Sequence, residues 1–237
     1  MALDSMTRGT DPKLELVHRF FSGTGGSYDS MVKYATFGID SLWKRRMVHL
    51  IPCGSKRILD LACGTGISTR TIAKRFPDAH VVGVELRDEY LGIARQKAQE
   101  IGNHNMEFVL SRAEDYRSDE SFDCVSSSYL AKYADLKILI PSLKDLLKPD
   151  GLLIMHDFTF PPKAYLVWIF RLYFKILQRV GSPIFPAWRE IFYGLPRLIE
   201  ATQWVPELRA ELEKHGFRDL HLEYLTMYGS AIMTARK

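Results

Sequence analysis

The chain has 237 residues, of which 46% are hydrophobic and 25% are charged, and its formal net charge is +4. This length fits one α/β domain with additions, and the charge excess is too small to favour nucleic-acid binding. Three cysteines without metal or disulfide spacing, at positions 53, 63 and 124, indicate a reducing compartment. The first residues lack an apolar signal core, and no apolar run reaches the ~20 residues of a membrane span, so we expect a cytoplasmic protein.

Along the chain, strand-like and helix-like segments alternate after residue 55. Strands are predicted at 56–61, 80–86, 106–111, 121–128 and 152–158, and helices at 67–76, 88–102 and 134–151. Residues 1–50 are predicted as a helical N-terminal cap, 159–204 as a helical lid insertion, and 205–237 as a last helix and a strand hairpin turning near Tyr228. This alternation predicts an α/β fold with a doubly wound, mostly parallel seven-stranded sheet, in one domain whose core is 51–158.

The first predicted strand runs into a glycine loop, ILDLACGTG (58–66). In a parallel sheet, ligands bind at the carboxyl ends of the strands, near the point where the strand order reverses. Gly64 and Gly66 permit positive φ and the close approach of a ligand, and the helix that follows points its N-terminus at the same place. We therefore expect ligand contacts from the loop residues Asp60, Ala62, Gly64, Thr65 and Gly66.

Two classes of ligand suit such a loop. A dinucleotide prefers the spacing G-x-G-x-x-G, whose third glycine lets helix and strand pack, but Thr69 occupies that position here. A pyrophosphate is also disfavoured by the nearby Asp60 carboxylate, whereas the ammonium and sulfonium groups of S-adenosylmethionine are not. The loop is accordingly interpreted as an S-adenosylmethionine site within a cofactor-binding core. The alternative is a tight turn that binds no ligand.

Later positions at strand ends add to the predicted cofactor site. Glu85 closes the second strand, where a carboxylate can accept both ribose hydroxyls, and Leu86 follows it. Backbone groups of Arg112 and Ala113, after the third strand, are placed to meet the adenine edge, and Ser128 ends the fourth strand facing the cofactor. The alternatives are solvated charges at 85 and 112 and small buried residues at 126–128.

Several stretches together resemble the C-methyltransferases of ubiquinone and menaquinone biosynthesis, within the class I S-adenosylmethionine-dependent methyltransferases. They are YDSM and FGIDSLWKRR within 28–46, LDLACGTG (59–66), FDCVSSS (122–128), LLKPDGLLIMHDF (146–158) and HGFRDLHLEYLTMYG (215–229). The resemblance implies the Rossmann-like methyltransferase fold, S-adenosylmethionine as cofactor and methylation of a ring carbon on a prenylated quinol. It assigns cofactor contacts to Thr65, Glu85, Arg112, Ala113 and Ser128.

The substrate side departs from the pattern of that family. Val32, Thr36 and Asp40 stand where the family has Asn, Ser and His, and the stretches 130–133 and 157–159 also differ from its motifs. These departures leave two alternatives open beside quinol C-methylation. One is O- or N-methylation of another small aromatic or lipid-like metabolite, and the other is an S-adenosylmethionine-binding subunit without turnover.

Methyl transfer to a ring carbon needs a general base near the adjacent hydroxyl. The candidates at the correct sheet edge are His156, Asp157, Tyr129, Lys132 and Tyr133. Asp157 matches the acid of the family and ranks first, as base or as orienter of His156, for which the alternative is a core histidine. Lys132 is a candidate for stabilising a phenolate, with a solvated lysine as the alternative. Tyr28 is expected to cover the cofactor or to serve packing alone.

The insertion contains a basic stripe, because Arg171, Lys175 and Arg179 within 164–180 are four apart. This helix is interpreted as a lid over a small hydrophobic aromatic substrate, or as a peripheral contact with an anionic membrane, and the two are compatible. No nucleic-acid partner is expected, since no Asn-Pro-Pro-Tyr-like tetrapeptide follows the fourth strand, and no metal site is indicated. The oligomeric state stays open, with a homodimer as one arrangement.

Overall fold

The computed structural model describes residues 12–102 and 104–237. Residues 1–11 of the predicted cap lie outside them. The described part of the cap forms three helices, α1 (Pro12–Phe21), α2 (Tyr28–Ala35) and α3 (Ile39–Leu50). Among the described residues, no helix combines the length and the apolar composition that crossing a bilayer would need.

One sheet forms the centre of the fold. Its strands are β1 (Arg57–Leu61), β2 (His80–Glu85), β3 (Met106–Leu110), β4 (Phe122–Ser128), β5 (Leu147–Phe158), β6 (Arg218–Leu225) and β7 (Ser230–Arg236). The spatial order is β3-β2-β1-β4-β5-β7-β6. Strands β1 to β5 run parallel, and β7 is antiparallel to both of its neighbours. The predicted doubly wound, mostly parallel sheet of seven strands, with its C-terminal hairpin, is confirmed.

Helices cover both faces of this sheet. Those after the cap are α4 (Ile67–Arg75), α5 (Asp88–Glu100), α6 (Leu136–Leu146), α7 (Ala164–Ile176), α8 (Ser182–Ile184), α9 (Arg189–Ala201) and α10 (Trp204–Lys214). Leu139 and Leu143 of α6 and Leu208 and Leu212 of α10, four apart in each helix, are buried against one face. Helices α3 and α4 pack on the other face, where Ile72 is buried among strand residues.

A separate apolar cluster lies beyond the carboxyl ends of the strands. It joins Phe20 of α1, Met31 of α2, and Ile191 and Phe192 of α9 to Tyr133, which follows β4. The cap helices and the inserted helices therefore pack against each other over the carboxyl-end edge of the sheet, which is where parallel sheets bind ligands.

The boundary between α6 and β5 differs from the prediction. A helix was expected over 134–151, but α6 ends at Leu146 and β5 begins at Leu147, which pairs with Phe122. Pro149 has no backbone N–H, and Asp150 has a φ of 62°. Residues 148–151 therefore form an irregular entry to the strand, with a register shift against β4. The predicted helix over 164–180 is α-helical to Ile176 and continues as a π-helical turn.

Candidate active site

The last residue but one of β1, Asp60, is a buried carboxylate that links this strand to α4 and β4. Asp60 Oδ2 accepts a hydrogen bond from the Thr69 hydroxyl at 2.7 Å, and Oδ1 accepts one from Ser126 at 3.2 Å. Burial raises the pKa of Asp60 to about 6, opposed by these two hydrogen bonds and by the charge of Lys44. The side chain thus faces the sheet interior, between α4 and β4. Asp60 does not line the adjacent pocket, and its assignment as a cofactor contact stays a prediction.

The glycine loop closes on the acid at the end of β2. The Gly64 N–H donates to Glu85 Oε2 at 2.9 Å, and the Arg87 N–H donates to Oε1 at the same distance. Burial raises the pKa of Glu85, and these backbone N–H groups oppose the shift. Gly64 has a φ of 57°, and a Cβ there would meet only the Tyr90 ring, at 3.8 Å. The bare side of the loop is therefore open to a ligand.

The next two residues of the loop serve its packing. The Thr65 hydroxyl donates to Asp29 Oδ1 of α2 at 2.5 Å, and Lys97 of α5 donates to the same carboxylate at 2.6 Å. Gly66 has a φ of 76°, and a Cβ there would lie 3.1 Å from the Cβ of Ala94. The contacts of both residues join α2, α4 and α5, and their assignment as cofactor contacts stays a prediction.

A pocket lies beside this loop, and we call it the loop pocket. Eight of the residues predicted as cofactor contacts line it: Tyr28, Ala62, Gly64, Glu85, Leu86, Arg112, Ala113 and Ser128. Lys13, Leu14 and Val17 of α1 cover it from outside, and Lys13 Nζ donates to the Ala134 carbonyl at 2.7 Å. The strand ends therefore bring the predicted cofactor residues together, while α1 supplies a wall that the motifs did not indicate.

The end of the loop pocket near Arg112 and Ala113 carries an acid that sequence reasoning missed. Arg112 Nε lies 3.0 Å from Glu114 Oε2, so its guanidinium is paired and not simply solvated. Glu114 is buried and also accepts from the Asp135 N–H at 3.0 Å. The stretch SRAED could have suggested it, since the motif contains an acid directly after Ala113.

A second, larger space, the aromatic cavity, adjoins the loop pocket. Its volume is about 310 Å³, and aromatic and aliphatic side chains, many of them from α2, α7 and α9, make up most of its lining. Phe21, Tyr28, Tyr129 and Tyr133 line both spaces. These four side chains, the shared wall, place the two spaces side by side.

Lys132 reaches the aromatic cavity as half of a buried ion pair. Its ammonium lies 2.5 Å from Asp157 Oδ1, and Asp157 also accepts from the N–H groups of Lys132 and Phe158. Burial lowers the pKa of Lys132, while Asp157 opposes this shift. Asp157 lines neither space, and its hydrogen bonds go to Lys132 and Phe158 and not to His156.

His156 is a buried core residue. Its Nδ1 lies 2.9 Å from the Ser128 hydroxyl, and its ring packs against the rings of Trp43 and Tyr129. Burial, followed by the charges of Lys44 and Lys132, lowers the pKa of His156 to about 3. The imidazole is therefore neutral near pH 7 and lies outside both spaces, as the core alternative expected.

Tyr129 belongs to a buried polar chain that the sequence did not reveal. Its hydroxyl donates to Asp40 Oδ1 at 2.5 Å, and Lys44 Nζ donates to Asp40 Oδ2 at 2.6 Å. Burial, followed by Asp40, raises the pKa of Tyr129 well above 10. Tyr129 also has a φ of 68°, a conformation that a bulky residue rarely adopts outside functional sites. The spacing of Asp40 and Lys44, four apart in α3, was the available signal.

Solved structures share this architecture. The plantazolicin methyltransferase BpumL in complex with SAH superposes with a TM-score of 0.67 at 13% identity over 95% of each chain. A SAM-dependent methyltransferase from Aquifex aeolicus gives a TM-score of 0.58 at 16% identity, over 81% of this chain and 88% of that one. At such identities the likeness shows the fold alone. Together, this fold, the glycine loop and the acid ending β2 define the class of S-adenosylmethionine-dependent methyltransferases.

The family follows from the sequence comparisons. The model of the ubiE/COQ5 methyltransferase family matches residues 6–237, and the chain belongs to this family. It is 34% identical over 221 residues to a demethylmenaquinone methyltransferase of Thermus thermophilus, covering 90% of this chain and 97% of that protein. It is 30% identical over 242 residues to a ubiquinone/menaquinone biosynthesis C-methyltransferase UbiE of Cronobacter sakazakii, covering 97% and 93%. The family inferred from the sequence motifs, the methyltransferase activity and S-adenosylmethionine as the cofactor are confirmed.

The loop pocket fits S-adenosylmethionine by its own chemistry. Gly64 leaves a bare stretch of backbone beside the buried Glu85 carboxylate, whose oxygens suit ribose hydroxyls. The buried Glu114 also lines this pocket, where its carboxylate is paired with Arg112 at 3.0 Å. Among the described residues, no group of three His, Cys, Asp or Glu side chains is arranged to hold a metal ion.

Proposed function

We propose that this protein methylates a ring carbon of a prenylated quinol, of the demethylmenaquinol or ubiquinol-precursor type. The observation that carries the proposal is the shared wall between the loop pocket and the aromatic cavity. A quinol ring lying against Tyr129 and Tyr133 would present a ring carbon to the loop pocket. The names of the two relatives, which specify quinone biosynthesis, support this choice of acceptor.

The size and chemistry of the aromatic cavity support an acceptor with an apolar tail. A volume of about 310 Å³ exceeds what a single phenol ring fills, and the lining continues along Phe170, Phe174 and Leu195 away from the shared wall. Such a lining offers few polar partners to a soluble, multiply hydroxylated metabolite. It suits isoprene units that extend from a ring held at the shared wall.

In this proposal, the polar chain behind Tyr129 takes the proton that makes the ring carbon nucleophilic. A quinol hydroxyl next to the Tyr129 oxygen can donate to it while Tyr129 passes its own proton to Asp40, 2.5 Å away. Lys44 then holds the protonated Asp40 less tightly, and the negative charge lies on the acceptor. General-base assistance of this kind contributes roughly 10²–10⁴-fold.

Lys132 is proposed to stabilise the developing phenolate. Its ammonium lies 4.5 Å from the centre of the Tyr133 ring and lines the aromatic cavity close to the shared wall. Asp157 keeps this buried lysine charged and in place, so we assign Asp157 a positioning role. When bound, S-adenosylmethionine supplies a methyl group activated by its sulfonium. The proposed protein contacts are Glu85 to the ribose, Ala113 backbone to the adenine, and Tyr28 and Ser128 along the nucleoside.

The test combines purified protein, S-adenosylmethionine and a quinol bearing a short prenyl chain. We expect release of S-adenosylhomocysteine and a product heavier by one methylene group that still oxidises to a quinone. A product of the same mass that cannot be oxidised would be O-methylated and would overturn the acceptor atom. Turnover on soluble phenols but not on the quinol would overturn the acceptor class.

A further inference from the structure

The aromatic cavity opens to the surface between apolar side chains. Phe37, Ile169 and Met227 line the cavity, yet they are 81%, 43% and 66% exposed. Because they belong to the lining and to the surface at once, they mark the mouth of the cavity. Phe37 is held there with a φ of 51°, a strained conformation for an aromatic residue.

Around this mouth, helix α7 exposes a row of large apolar side chains. Tyr165, Trp168, Leu172 and Ile176 follow one another at spacings of three and four residues, the period of one helix face. Trp168 is 65% exposed and Tyr165 is 61% exposed. The row is continuous with the mouth, since the mouth residue Ile169 lies on α7 four residues after Tyr165 and three before Leu172. A contiguous apolar patch of this kind marks an interaction surface.

Positive charge flanks the same row. Lys163, Lys175 and Arg179 are exposed, and none is within ion-pair distance of an acidic side chain in the described part of the chain. Arg171 is balanced by Glu200 of α9, at 2.9 Å. Amphipathic helices with aromatic residues on one side and unpaired lysine and arginine beside them bind the interface of anionic bilayers.

We infer that this face, formed by the mouth residues and the exposed row of α7, docks on a lipid bilayer that carries anionic headgroups. Docking would place the cavity mouth against the acyl layer, so that a prenylated acceptor enters without crossing water. The inference rests on the proposed function for the identity of that acceptor. Binding to the bilayer itself is measurable without it.

The experiment is sedimentation of the full chain with vesicles of phosphatidylcholine, with or without phosphatidylglycerol. We expect binding to the vesicles with phosphatidylglycerol and much weaker binding to those without. Phe37→Asn, which keeps a residue tolerant of positive φ, and Trp168→Gln should each weaken binding by roughly tenfold. The double variant K175E/R179E should remove the preference for phosphatidylglycerol.

Matched controls lie at the opposite end of the strands. Ile101→Gln removes an apolar side chain that is 57% exposed at the end of α5, and Lys74→Glu reverses a charge at the end of α4. Both should bind vesicles like the wild type. Absence of wild-type binding, or equal weakening by the controls, would overturn the inference. So would variants that dissociate a dimer in solution yet sediment normally, since the face would then join two copies.

Failure of this inference is distinguishable from failure of the proposed function. Turnover of a short-chain quinol in buffer, with no vesicles present, tests the chemistry alone. A protein that methylates this quinol but never binds vesicles would overturn the docking face and leave the proposed function intact.

Discussion

The ammonium of Lys132 lies 2.5 Å from the carboxylate of Asp157, and neither side chain reaches solvent. Lys132 borders the aromatic cavity, whereas Asp157 lies behind it. The acid that the resemblance placed in the chemistry is thus the counter-ion of a lysine. Removing one member of a buried pair leaves the other charge uncompensated, which costs more than the pair itself contributes.

The first prediction concerns this pair. Asp157→Asn should lower the free energy of unfolding by roughly 3 kcal/mol or more, because Lys132 would remain charged and buried. Urea denaturation measures the change. The double variant D157N/K132M should recover part of the loss, since both charges are then gone. Unchanged stability of D157N with strongly reduced turnover would instead place Asp157 in the chemistry.

The second prediction concerns the polar chain behind Tyr129. Tyr129→Phe removes the hydroxyl that contacts Asp40 and should lower kcat by about 100-fold, in the range expected for lost general-base assistance. Affinity for S-adenosylmethionine, measured by calorimetry, should change little. Tyr173→Phe is the matched control, because it removes a hydroxyl of the same cavity that donates to the Ala35 carbonyl and not to a carboxylate of the described residues. A similar loss of kcat in both variants would contradict the proposed proton path.

The third prediction uses two glycines of similar conformation. Gly64 and Gly102 have φ values of 57° and 62°, so alanine at either position should cost about 1 kcal/mol of stability. Only Gly64 lines the loop pocket. Gly64→Ala should weaken S-adenosylmethionine binding in calorimetry, whereas Gly102→Ala should not. Equal affinities in the two variants would remove the loop from the cofactor site.

The fourth prediction is a pH dependence of stability. Folding lowers the pKa of His156 from 6.5 to about 3. Between these two pH values the imidazole is protonated in the unfolded chain and neutral in the folded chain. This contribution to stability is complete above pH 6.5 and is lost as the pH falls towards 3. Asp60 acts in the opposite sense, because its pKa rises from 3.8 to about 6 and stability falls as the pH rises through that window.

His156→Gln should therefore remove the His156 contribution, so that of these two pH effects on stability only that of Asp60 remains. When the pH is lowered from 7 to 5, the free energy of unfolding of the variant minus that of the wild type should increase by about 2 kcal/mol. Urea midpoints at both pH values give the comparison, and His221→Gln, on the exposed strand β6, serves as control. A constant difference between H156Q and the wild type would show that His156 titrates normally.

The sequence could predict the sheet and the loop pocket because both depend on local patterns. Alternating apolar strands and helices determine a parallel sheet, and parallel strands place Gly64, Glu85 and Ser128 at one edge. The direction in which an individual side chain points was harder to predict from the sequence than the position of its strand. Asp60 lies one residue before the end of β1, close to the glycine loop, yet its carboxylate turns inward because Thr69 and Ser126 offer it two donors.

The catalytic side was harder because its contacts are distant in sequence. Tyr129 and Asp40 are 89 positions apart, and no period or motif relates them. Neighbouring residues of β5 point to opposite faces, so the pattern alone could not decide whether His156 or Asp157 meets the cavity. In the structure neither does, and Lys132, from the loop after β4, reaches it instead.

The position of α1 over the loop pocket has a consequence for the order of events. Lys13 and Leu14 close that pocket from one side, while the aromatic cavity has its mouth at Phe37 on another. The cofactor and the methyl acceptor would therefore enter through separate openings. S-adenosylhomocysteine could then leave the loop pocket while the methylated acceptor remained in the aromatic cavity.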